Sequence, residues 1–274
     1  MNPLRPQRWK DLPTKEVLDG MMQRAAYRSD EALLTFNWIE PGMPRWTPHS
    51  HPFDQIVITV RGIQILEIEN EILRCPAGSV VRVPANAKHT GWPEGDEQVL
   101  NIDVFAPPRA DYLHFAAHQT EYPQPEPGYT VYHQNPKAAP PDGAWMKDTS
   151  GILFRWTDLP KTPIEDGRMM RAGFRGDHAL LSFNFVSPEL PRLEPHSHPF
   201  DQLVLVMSGT LALEVDGEVM ECPPESIVRV PSNAKHTGWV VGDEPVVNLD
   251  IFAPAREDYL FLTSYQKDYA QAAG

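Results

Sequence analysis

Apolar residues in this chain recur in short runs rather than at helical spacing. ALLTFNWIE, QIVITV, IQILEIE, SVVRVP and VLNIDVF are rich in Val, Ile, Leu and Phe, and each is bounded by Gly, Pro or Asn. A second series follows in the same order: ALLSFNFVS, QLVLVM, TLALEVD, SIVRVP and VVNLDIF. Regularly spaced short strands without long helical patterns predict an all-β barrel or sandwich. VDGEV at 215–219 carries Asp-Gly, a strong hairpin signal, where the matching IENEI at 68–72 has Glu-Asn. One stretch after each series reads as helical, DYLHFAAH in the first half and DYLFLTSYQ in the second.

The two series are copies of one another. PHSHPFDQ occurs at 48–55 and 195–202, RVPxNAKHTGW at 82–92 and 229–239, and DxFAPxRxDYL at 103–113 and 250–260. Each pair is offset by 147 residues, as His196 is from His49 and Asp250 from Asp103. The same offset relates Arg8-Trp9 to Arg155-Trp156 and Leu12-Pro13 to Leu159-Pro160. An ungapped match of that length marks a duplicated domain. The expected division is 1–140 and 141–274, with a connector over 120–145 that contains YPQPEPG and AAPPDG. Proline removes backbone donors there and favours extended chain. The alternative is that 126–150 adds a strand to the other barrel.

Composition narrows the function classes. Of 274 residues, 41% are hydrophobic and 22% charged, enough apolar material for a packed core. The net charge is −13 and no cluster of Lys or Arg interrupts it, which argues against nucleic acid as a partner. No secretory signal and no apolar run of about 18 residues is visible, so no membrane partner is expected. The two cysteines, Cys75 and Cys222, occupy matching places and read as buried small residues rather than a bridge. A cytoplasmic location fits them best.

Six of the ten histidines fall at three paired positions: His49 and His196, His51 and His198, His89 and His236. Gln55 and Gln202 complete each set. Side chains alternate along a strand, so His49, His51 and Gln55 share one face, as do His196, His198 and Gln202. A strand beginning at the first histidine would aim all three inward, and His89 and His236 would arrive from elsewhere, just after Pro84 and Pro231. Such a set suits one divalent transition metal per half, whether Ni, Zn, Fe, Mn or Cu, with coordination positions left open. The alternative is a polar core cluster kept for structure.

The spacing HxHx3Qx6G, closed by Gly62, and then Gx5Px4H is similar to the two motifs of the cupin superfamily. That resemblance covers both halves and implies two tandem cupin domains of the jelly-roll type β-barrel, a bicupin. In cupins that activate O2 the fourth ligand is commonly glutamate. Here all four ligands are neutral, which keeps the full positive charge and favours polarising a substrate oxygen over redox cycling.

Asn101, Asp103 and Phe105 share parity on one strand, as do Asn248, Asp250 and Phe252 on its copy. An inward carboxylate is costly unless paired or used, so Asp103 and Asp250 are candidates to orient a ligand or to shuttle a proton. Arg109 and Arg256 follow, suited to gripping a substrate carboxylate, or equally to pairing with Asp111 and Asp258. HSHPFDQ, the Px4H segment and DIFAPAREDYL resemble the KdgF family of pectin-degradation cupins. That family converts 4,5-unsaturated uronates to open-chain keto sugars. The resemblance implies catalytic roles for Asp103, Phe105, Arg109, Asp250, Phe252 and Arg256, beside the eight metal ligands above. Family members usually have His-Glu where this chain has Phe53-Asp54 and Phe200-Asp201, and they are single cupins that dimerise. The fused pair is similar in this respect to the bicupin isomerase of bacilysin biosynthesis, which moves double bonds in a keto acid.

The leading expectation is a metal-dependent, non-redox enzyme acting on a small anionic substrate, a carboxylated sugar or keto acid, as a monomeric bicupin or a homodimer. An O2-dependent dioxygenase and a non-enzymatic sugar-binding cupin are the competitors. Arg82 and Arg229 are expected either to point at substrate or to pair across the barrel. Trp92 and Trp239 are expected in the core. Trp46-Thr47 faces Leu193-Glu194 across the repeat, so the two approaches differ. His114 and His118 read as surface residues.

Overall fold

The most apolar runs, Val99–Phe105 and Val246–Phe252, lie at the centres of two seven-stranded antiparallel sheets in the computed structural model, which describes residues 5–123 and 153–267. Around Val99–Phe105 the order is Leu153–Arg155, Ser79–Val83, Gln55–Arg61, Val99–Phe105, Leu33–Ile39, Met22–Arg28 and Lys15–Leu18. A three-stranded sheet of Glu71–Pro76, Ile63–Ile68 and His89–Glu94 packs on its inner face through Val57, Leu66, Leu73 and Val81. The second half repeats this arrangement with Val204, Leu211, Leu213 and Val228. The predicted pair of jelly-roll type β-barrels is the fold.

These central strands are buried on both faces. Asn101, Asp103 and Phe105 turn into the first barrel, while Leu100, Ile102 and Val104 join a core that runs through both halves. Leu34, Phe36, Ile56 and Ile58 contribute to that shared core from one half, and Phe183, Leu203, Leu249 and Ile251 from the other. Burial on both faces explains why these strands read as nearly continuous apolar runs rather than as alternating ones.

Each half lends a strand to the other. Gln7–Arg8 pairs with Ser226–Val230, and Leu153–Arg155 pairs with Ser79–Val83. The tryptophans that follow lock the exchange, with Trp9 stacked on Phe36 at 5.6 Å and Trp156 on Phe183 at 5.8 Å. The matched Arg-Trp pairs are therefore the exchanged arms. The expected boundary at 140 and the suggested strand within 126–150 lie outside the described residues.

Charged clamps flank the shared core. Asp54 accepts hydrogen bonds from Arg82 Nε at 3.1 Å and from the backbone N–H of Asp177 at 2.8 Å. Asp201 accepts them from Arg229 Nε at 2.7 Å and from the N–H of Asp30 at 3.1 Å. Arg82 also pairs with Asp177 at 2.5 Å and Arg229 with Asp30 at 3.3 Å, so both arginines join the halves, and neither lines a barrel cavity.

Local signals resolve as follows. Asp216-Gly217 and Glu69-Asn70 form equivalent hairpin turns with positive φ at both residues, so the first copy makes the turn without glycine. Gly209 is needed where it stands, because φ is +71° and a Cβ would lie 2.5 Å from the Pro245 carbonyl oxygen. The helical stretches are 3-10 helices, Ala110–Ala116 and Glu257–Thr263. Cys75 and Cys222 are buried and unpaired. Among the described residues no helix is long and apolar enough to cross a membrane.

Candidate metal centre

The strands carrying the ligands begin at Gln55 and Gln202, so the expected strand from the first histidine does not exist. Pro48 and Pro52 flank the histidines and withhold two backbone donors, which breaks the ladder. A single bridge replaces it. His49 N–H donates to the His89 carbonyl at 3.0 Å, and His89 N–H returns to His49 at 2.8 Å. That bridge brings the first and last histidines together, with ring centroids 4.3 Å apart. His196 and His236 repeat it, also at 4.3 Å.

In each half the ligand atoms of three histidines lie within 4.8 Å of one another. Backbone carbonyls set the tautomers. Nδ1 of His51 faces the Phe53 carbonyl at 2.6 Å and Nδ1 of His89 faces that of Ala87 at 2.9 Å. His198 and His236 use Phe200 and Ala234 in the same way, at 2.7 and 2.9 Å. Each Nδ1 therefore carries the proton and each Nε2 presents a lone pair to the centre. Burial lowers the His49 pKa to about 2 and those of His89 and His236 to about 4, so the rings are neutral and free to ligate.

The glutamine supplies the test of fit. Gln55 lies beside the Asp103 carboxylate and stabilises its charge, while its Oε1 faces the histidines. Oε1 then stands 3.3 Å from His51 Nε2, and in the second half Gln202 Oε1 stands 3.1 Å from His198 Nε2. Two acceptors facing each other at this distance call for a cation between them. The buried Nε2 atoms of His89 and His236, and both ring nitrogens of His49, have no hydrogen-bond partner among the described residues. The residues fit a divalent ion held by three imidazoles and one amide oxygen.

Behind the glutamine lies a buried polar network. Asp103 accepts from Asn101 Nδ2 at 2.7 Å, Asn37 Nδ2 at 3.0 Å and Thr35 Oγ1 at 3.3 Å. Asp250 accepts from Asn184 Nδ2 at 2.8 Å and Asn248 Nδ2 at 2.9 Å. Burial raises both carboxyl pKa values, against the pull of Arg24 on Asp103 and of Arg171 on Asp250.

Arg109 lines the same cavity, and its Nε and one Nη are held by Asp111 at 2.8 and 2.9 Å. Arg256 and Asp258 match it at 2.8 and 2.9 Å. Both readings of these arginines meet here: each is paired with its aspartate and each lines the pocket. Phe105 stands edge-on to His51 at 5.9 Å, and Phe252 to His198 at 5.7 Å.

Comparisons with known proteins agree with this fold. A cupin domain model matches 186–252, and a model of the AraC-like ligand binding domain matches 39–140. No curated protein matches the sequence. Among solved structures, the formate complex of oxalate decarboxylase from Lactobacillus farciminis is similar with a TM-score of 0.64 at 14% identity, covering 93% of this chain and 87% of that one. The cupin 2 conserved barrel domain protein from Leptotrichia buccalis is similar with a TM-score of 0.62 at 13% identity, over 92% and 98%. AerE from Microcystis aeruginosa gives 0.59 at 14%, over 91% and 97%. The chain is a bicupin by fold.

Several pocket residues of this bicupin escape a reading of motifs alone. Arg24 and Arg171 line the two cavities from the middle of strands, bonded to Asn37 and Asn184. The guanidiniums of Arg24 and Arg109 lie 4.3 and 3.8 Å from the Tyr112 ring centre, and those of Arg171 and Arg256 lie 4.4 and 3.8 Å from that of Tyr259. Their signal was recurrence at the 147-residue offset, not any motif. Trp92 packs against the core beside Met22 and Val99. His118 is half-buried with its ring nitrogens sealed from solvent, which corrects its reading as a surface residue.

Proposed function

We propose that each barrel is a metal-dependent, non-redox active site for a small carboxylated sugar or keto acid, with ring opening or tautomerisation of a 4,5-unsaturated uronate as the leading reaction. The observation that carries this reading is a buried carboxyl, Asp103 or Asp250, lining the same cavity as the histidines and the glutamine. A divalent ion held by His49, His51, Gln55 and His89, or by their four counterparts, would supply Lewis-acid polarisation of a substrate oxygen.

The remaining work belongs to the chain. Asp103 has a raised pKa from burial, and a carboxyl poised closer to neutrality is the better proton shuttle. Its three hydrogen-bond donors fix both oxygens, so the proton moves at a defined position. Arg109 keeps Nη1 free of Asp111 and offers it, with the Arg24 guanidinium, to a substrate carboxylate. Phe105 closes the wall between His51 and Arg109 and keeps water off the reacting atoms. Asp250, Phe252, Arg256 and Arg171 serve the second site in the same roles. The four neutral ligands support proton transfer rather than oxygen chemistry. The buried, unpaired cysteines support a reducing, cytoplasmic setting.

The fused architecture favours a second substrate within the same chemistry, a keto acid whose double bond is shifted. The test is anaerobic incubation of the metal-loaded protein with an unsaturated uronate and with an unsaturated keto acid. Conversion of either without oxygen, abolished by chelation, is expected. Turnover that consumes oxygen would make the protein a dioxygenase, and tight binding with no turnover would make it a sugar-binding cupin.

A further inference from the structure

The two cavities share every group around the histidine triads and differ in their walls. His, Gln, Asp, Phe, Arg and Tyr recur in pairs, yet Trp46 and Gln64 of the first cavity are replaced by Leu193 and Leu211 in the second. The first cavity is the smaller, 90 Å³ against 160 Å³. His49 is half-buried where His196 is exposed.

Hydrogen-bonding capacity separates the walls more sharply than size. Gln64 is only 5% exposed, and its Oε1 is sealed from solvent with no partner among the described residues. The indole Nε1 of Trp46 is likewise sealed and unpartnered. An orphan donor and an orphan acceptor in one buried cavity are costly until something satisfies both. The hydroxyl groups of a ligand would do so, accepting from Trp46 Nε1–H and donating to Gln64 Oε1. Leu193 and Leu211 offer neither function and present an apolar surface, beside an exposed Glu194 that also lines this cavity.

We propose that the bicupin runs one chemistry on two substrate classes: Trp46 and Gln64 select a hydroxylated carboxylate in the first barrel, and Leu193 and Leu211 select a carboxylate with an apolar body in the second. This assignment rests on the reading of both cavities as carboxylate-binding sites. A wall built to pair with a hydroxyl discriminates strongly against analogues that lack it, whereas an apolar wall discriminates weakly. The first site is therefore the more selective of the two.

The test uses the full-length, zinc-loaded protein and two probes of equal charge and ring size, glucuronate and cyclohexanecarboxylate, titrated by calorimetry. Glucuronate is expected to bind at one site per chain and cyclohexanecarboxylate to prefer the other. Trp46→Phe keeps the ring and removes the donor, and with Gln64→Leu it should weaken glucuronate about tenfold while admitting cyclohexanecarboxylate. Leu211→Gln should strengthen glucuronate at the second site. Equal binding of both probes at both sites, no binding of either, or an unchanged glucuronate affinity in the Trp46→Phe and Gln64→Leu variants overturns the assignment. Loss of turnover with the binding split intact overturns only the proposed reaction.

Discussion

Gln55 shows how one side chain ties structure to chemistry. Its oxygen faces His51, and its side chain lies beside the Asp103 carboxylate and stabilises that charge. Gln55→Glu with Gln202→Glu would set two carboxyls in contact, and repulsion would force one to hold a proton. The expected result is tighter metal binding with turnover reduced at least about tenfold, read from metal affinity and kcat together. Asp103→Asn with Asp250→Asn should lower turnover by about 10²- to 10⁴-fold and leave metal content unchanged. Metal content that falls with turnover would assign these aspartates to ligand orientation alone.

At the scale of elements, the exchanged arms are the feature to test. Trp9 is 2% exposed and stacks in the core shared by both halves. Trp9→Ala should cost about 3–5 kcal/mol of unfolding free energy in denaturant titration, and a loss under 1 kcal/mol would mean that the arm is not structural. The sequence displays strands well where both faces are buried, as in Val99–Phe105. It hides Met22–Arg28, where Arg24 and two alanines dilute the apolar signal, and Lys15–Leu18, an edge strand with exposed residues. Period-two spacing suggested a ligand strand from His49, but proline chemistry decided that segment. The histidine and glutamine positions were legible because duplication printed them twice. The arm pairings were not, because nothing local in Gln7–Arg8 identifies a partner more than two hundred residues away.

At the scale of the molecule, the two barrels share one hydrophobic core and exchange strands, so neither is a self-contained unit. Calorimetry should show one unfolding transition with matching calorimetric and van't Hoff enthalpies, and two resolved transitions would contradict a shared core. Chelation should lower that single transition temperature, because ions bound to the native state stabilise the whole molecule by mass action.

Both barrels are claimed as metal sites, and elemental analysis of the full-length protein after dialysis against trace divalent metals tests this most directly. Two ions per chain are expected, one per histidine triad, falling to one with His51→Ala and to none with His51→Ala and His198→Ala together. A folded protein that holds no stoichiometric metal, or whose metal survives both substitutions, would contradict it.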